Sequence, residues 1–146
     1  MTDKQLALLI GGFAPAILFG VAAVFLKIIN RAGIGTGPYL MGIGVTVFIM
    51  GVLFSLWDRD FTYSAKSLTY IGLYGFVWSV AMICVAIALK RYNGQIGQIV
   101  SIYNMNTLVT VLIGLVVLSE WRNVHPVKLM IAAILISVGG VFAATA

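Results

Sequence analysis

One apolar stretch of this chain carries an unusual density of polar side chains: Gln95, Gln98, Ser101, Asn104, Asn106, Thr107 and Thr110. Each amide offers both donors and acceptors, so a row of them can replace the hydration shell of a polar solute without any change of charge. Tyr103 lies among them and adds a ring with a hydroxyl tip. On an unbroken helix at 100° per residue, Gln95 and Asn106 fall within about 20° of each other, and Gln98, Ser101 and Asn104 follow a neighbouring strip. Amides facing lipid are costly, so these residues should face protein or a water-filled cavity. A solute site is one reading of the row. Interhelical hydrogen bonding, worth about 1 kcal/mol or less per bond, is the other.

Two more residues fit a binding role. Tyr70, Tyr74 and Trp78 recur at four-residue spacing and share one helix face. Tyr70 suits the membrane interface, whereas Trp78 falls at mid-depth, where it could stack on a ring or a cation. Lys27 stands near the end of the first apolar stretch. It could pair with an anionic solute or with Glu120, or it could snorkel to the interface. Glu120 is expected to cap a membrane boundary beside Arg122. His125, the sole histidine, is read as a solvated loop residue, and the single cysteine, Cys84, excludes an intrachain disulfide.

Other chemistries lack their residues. No Asp or Glu falls in the middle of an apolar stretch, which disfavours proton-coupled export of cations through an intramembrane carboxylate. No nucleophile–base pair, metal-ligand cluster or phosphate-cradling glycine loop followed by lysine occurs, so neither enzymatic activity nor a cofactor or metal is expected.

The elements that must position these residues follow from composition. Of 146 residues, 62% are hydrophobic and 9% charged, with a mean hydropathy of +1.10. A soluble domain carries about 25% charged residues. The net charge of +5 is dispersed through short gaps between apolar stretches, a pattern that speaks for a membrane and against nucleic acid. A spanning helix needs roughly 20 apolar residues. Five segments qualify, at about 6–29, 39–57, 68–89, 96–119 and 127–144. The gaps hold the turn from Gly33 to Pro38, the Asp58-Arg59-Asp60 triad, the run from Lys90 to Gly94, and Glu120-Trp121-Arg122. Lipid offers the backbone no hydrogen-bond partner, so the segments must be helices. The start, Met1 to Gln5, carries only Lys4 as a basic residue, and the first stretch is too long for a cleaved signal peptide. The expected fold is therefore an all-α integral membrane protein of five spans forming a single domain, 1–146. Tyr39, Trp57, Tyr63, Tyr70, Tyr92 and Trp121 sit near predicted ends, as an interfacial belt does. Small residues recur at helical spacing in two stripes, Gly12, Ala16 and Gly20, then Ala133, Ser137, Gly140 and Ala144. Either stripe suits intrachain packing or a subunit interface.

Five spans put the termini on opposite sides. The amino-terminal side then collects Lys4, Arg59, Lys66, Arg122 and Lys128, and the other side Lys27, Arg31, Lys90 and Arg91. Five against four gives the positive-inside rule almost nothing to act on. Insertion both ways up, with antiparallel pairing, is one reading. Orientation fixed by other features or by a partner is the alternative.

The carboxy-terminal half resembles the EamA-type repeat of the drug/metabolite transporter superfamily. The matching stretch is NTLVTVLIGLVVLSEW at 106–121, an apolar helix ending in a glutamate, followed by a last helix with AAILISVGG at 132–140. At the front, PAILFG at 15–20 leading to Lys27 is similar to the family's first helix, where an aromatic–glycine pair precedes a lysine. Phe19 stands where tryptophan is common, and the proline that often opens the fourth helix is absent near Asn106 and Thr107. Most members carry two inverted repeats. The resemblance implies that this chain, with one, is a half-transporter acting as a homodimer.

Together these readings lead to an expected multi-pass protein of the cell membrane, in a prokaryotic inner membrane. It would move a small polar solute or metabolite as an antiparallel homodimer. Gln98, Asn104 and Asn106 would bond the solute, Gln95, Tyr103 and Lys27 would stand nearby, and Trp78 would form an apolar wall. A non-transporting subunit or scaffold for another helical membrane protein is the competing expectation.

Overall fold

The computed structural model describes residues 2–59, 61–122 and 124–146, with the backbone alone for Lys4. Met1 and Asp60, which the sequence reading places at the start and in the second gap, lie outside the described residues. Helices run in the order α1 (Asp3–Leu8), a π turn (Leu9–Phe13), α2 (Ala14–Arg31), α3 (Thr36–Asp58), α4 (Ala65–Arg91), α5 (Ile96–Tyr103), α6 (Asn106–Val116), a 3-10 turn (Glu120–Arg122) and α7 (Pro126–Ala144). No strand occurs among the described residues. Five stretches are long and apolar enough to cross a bilayer: Gln5–Arg31, Thr36–Asp58, Ala65–Arg91, Ile96–Val116 and Pro126–Ala144. The shortest has 19 residues; at 1.5 Å per residue that is roughly 28 Å, close to the hydrocarbon thickness.

The helices outrun most of the expected apolar windows by one to three residues, because polar residues at the interface still cap them. Ser64 accepts from Ser67 N and Ser67 Oγ accepts in return, a reciprocal cap that starts α4 before its apolar face begins. Thr2 and Gln5 do the same for α1. The fourth segment departs the other way. Its helix stops at Val116, short of the expected Ser119, and Ser119 adopts a left-handed φ of 56° that turns the chain out of the helix. The first segment is interrupted as well. Pro15 has no N–H, and its ring would press on the carbonyl four residues back. The turn before it widens, and Ala14 N bonds Leu9 O five residues back.

The chain divides into two compact units, Met1–Asn93 and Gly94–Ala146. In the first, α2 and α3 each pack on α4. Its buried residues, Leu26, Tyr39, Ala86 and Leu89, all belong to the end holding the α2–α3 turn. There Lys90 Nζ donates to Ile34 O at 3.4 Å. The Gly12, Ala16 and Gly20 stripe stays exposed, and a Cβ at Gly12 or Gly20 would meet nothing within 4 Å. In the second unit α7 packs on both α5 and α6. Ala133, Ser137 and Gly140 are buried there, while Ala144, the last of their stripe, is exposed. Their spacing puts three small residues on one helix face, which lets backbones come close.

Candidate functional site

The polar row lies on a helix that is broken in its middle. Asn104 and Met105 hold ψ values of −12° and −13°, well short of the α-helical −42°. The ladder tightens accordingly. Met105 N bonds Ile102 O at 3.0 Å, Thr107 N bonds Asn104 O at 3.1 Å, and Leu108 N bonds Met105 O at 3.0 Å, each three residues back. Because Met105 N turns to Ile102, the Ser101 carbonyl loses the donor that an unbroken helix would give it. No proline causes this. Two asparagines, weak helix formers, flank Met105, and neither side chain bonds the backbone here.

The second unit seals one side of the break with glycine. A Cβ at Gly140 would lie 2.7 Å from Ser101 O and 3.1 Å from Met105 Cγ. Only a bare backbone can approach so closely.

Tyr103, Asn104 and Asn106 are brought together at the break, near the middle of the 21-residue span. All three are exposed in the chain. Gln98 is half-buried, about 9 Å down α5 from Asn104 at helical rise. Gln95 is the N-cap residue of α5, yet its side chain makes no capping bond. The shared azimuth expected for Gln95 and Asn106 assumed a continuous helix, and the break now lies between them. Among the described residues no hydrogen bond is made by the side chains of Gln95, Gln98, Ser101, Asn104, Asn106, Thr107 or Thr110. Elsewhere Thr46, Thr69 and Ser137 each return their hydroxyl to the carbonyl four residues back.

Trp78 and Lys27 belong to the first unit. Trp78 sits at the centre of α4 and is 39% exposed. Lys27 is half-buried in α2, one residue beyond the buried Leu26. Glu120 follows the end of α6, and its Oε2 would stand 2.8 Å from a Cβ at Gly114. The carboxylate therefore folds back over the final turn of α6, while Arg122 stacks on Trp121 at 5.4 Å from the ring centre. Cys84 is a free, exposed thiol. Among the described residues no group of three or more His, Cys, Asp or Glu side chains could hold a metal ion.

The break and its glycine seal escaped the sequence reading, although signals for both were present. Asn104-Met105-Asn106 interrupts an apolar run, and Gly139-Gly140 doubles the small residue where one would suffice for packing. Set beside known proteins, the chain matches no family model, no curated protein and no solved structure.

Proposed function

We propose that this chain is one half of a homodimeric transporter, paired antiparallel in a cell membrane, that moves a small polar solute. The observation that carries the reading is the break at Asn104–Met105, at mid-span, with exposed amides on either side that have no partner among the described residues. At that depth, backbone outside the helical ladder is tolerated only where it is buried in protein or lines a water-filled cavity. Discontinuous helices at the midplane are also where secondary transporters hold their substrates. Asn104 and Asn106 would bond the solute, Tyr103 would lie against it and Gln98 would stand one turn and a half away. The row is uncharged, so it suits a neutral or zwitterionic solute better than a lone ion. The resemblance to a single EamA-type repeat and the nearly even division of cations, five against four, support pairing of two oppositely inserted copies.

Flux of a panel of polar metabolites into liposomes holding only this chain tests the reading. Solute-selective flux that falls roughly five- to tenfold on Asn106→Ala, with insertion and dimer retained, is the expected result. Normal flux in that variant would overturn the assignment. Absence of flux, together with capture of a second helical protein by cross-linking from Asn104→Cys, would favour a subunit of a larger assembly.

A further inference from the structure

Charge in the first unit is sorted by end. Lys27, Arg31, Lys90 and Arg91 all lie at the end where α2 and α4 finish. Among the described residues no Asp or Glu of this unit lies there; Asp3 and Asp58 are at the opposite end. A cation in a last turn can serve simply to offset the helix dipole. That explanation would apply to every helix, yet α3, α6 and α7 have no basic residue in their last turns. One of the cations is also anchored to the turn. Lys90 Nζ ties the end of α4 to the α2–α3 turn through Ile34 O, and the buried Leu26, Ala86 and Leu89 lie within a turn or so of them.

We infer that this end binds the headgroup of an anionic phospholipid. Arg31 and Arg91 are exposed, and their guanidinium groups present paired donors suited to a phosphate. Each is the last residue of a helix long and apolar enough to cross a bilayer, a position that suits headgroup depth rather than open water. Exposed Ile28 and Ile87, one turn earlier on the same two helices, offer apolar surface to the acyl chains. Lipid is favoured over a soluble polyanion because the basic patch is contiguous with that apolar surface. A nucleic acid or acidic peptide would gain nothing from it.

The test is native mass spectrometry of the full-length protein released from detergent after incubation with equal amounts of phosphatidylglycerol and phosphatidylcholine. Phosphatidylglycerol should be retained in preference. Arg31→Gln with Arg91→Gln should weaken it roughly thirtyfold, since each cation near the surface contributes about a factor of five. Arg31→Lys with Arg91→Lys should keep most of the binding, and Arg59→Gln with Lys66→Gln, at the opposite end, should leave it unchanged. Equal retention of the two lipids would overturn the inference. So would equal weakening by the Arg59 and Lys66 pair, or displacement of the lipid by millimolar inorganic phosphate, which would mark a site for the bare anion.

Discussion

Gly140 faces the carbonyl of Ser101 so closely that its missing side chain would stand 2.7 Å from the oxygen. The carbonyl is the one freed by the helix break, so the contact links the packing of α7 to the irregularity of α5 and α6. Close packing and the exposed amides are therefore two sides of one local structure: glycine covers the break from within the unit, and Asn104 and Asn106 remain open on its surface.

Gly140→Ala should push α7 away from the break. The expected loss is about 1–3 kcal/mol, as for an overpacked core. Gly139, the adjacent glycine, has nothing within 4 Å of an added Cβ, so Gly139→Ala should change stability by no more than about 0.5 kcal/mol. Unfolding of both variants in mild detergent, followed by helical circular dichroism, makes the comparison. Equal losses would show that glycine flexibility, rather than the Ser101 contact, is at stake.

Asn104→Ala and Asn106→Ala should each lower solute flux roughly five- to tenfold, the value of one hydrogen bond to a bound solute. Thr46→Ala should leave flux unchanged, because that hydroxyl is already bonded to Gly42 O at 3.0 Å. Initial rates in liposomes, normalised to inserted protein, give the answer. A Thr46 effect as large as the asparagine effects would point to general destabilisation.

Ser119 holds a left-handed φ of 56° just past the end of α6. An L-residue there is strained by about 1 kcal/mol, and glycine is not. Ser119→Gly should accordingly stabilise the second unit by roughly 0.5–1 kcal/mol, while Ser119→Val should destabilise it. Thermal unfolding in detergent would register both, and a loss in the glycine variant would contradict the strain argument.

Paired reporters on the carboxy terminus, one active inside the cell and one outside, should both give signal. The near balance of five cations against four supplies too little bias to fix one orientation. Adding two lysines beside Arg91 should then drive most copies one way. A single active reporter in the parent chain would show that another feature sets the orientation.

The five long apolar helices were legible because an apolar segment of that length has, in lipid, little choice but a helix. The helix ends were less so. Hydropathy stops where the apolar residues stop, whereas Ser64 and Ser67 carry α4 several residues further by bonding each other's backbone. Of the candidate site, the polar residues were plain in the sequence and their surroundings were not. An average helix geometry gave Gln95 and Asn106 a common face, but that geometry depends on a continuous ladder, and the three-residue bonds at Met105, Thr107 and Leu108 interrupt it. Whether a pair of asparagines bends a helix depends on what meets the freed carbonyl, here Gly140, more than thirty residues away in sequence.

The π turn ahead of Pro15 has a mechanical consequence. Such a turn holds one residue more than an α turn, so Asp3–Leu8 is rotated by about 100° relative to the face that α2 would otherwise continue. The 27-residue first span is thus geared in two parts, each presenting its own side to its surroundings. Removing a single residue between Leu9 and Phe13 would bring the two parts back into phase, swinging the amino-terminal turns to a new azimuth while leaving the span long enough to cross.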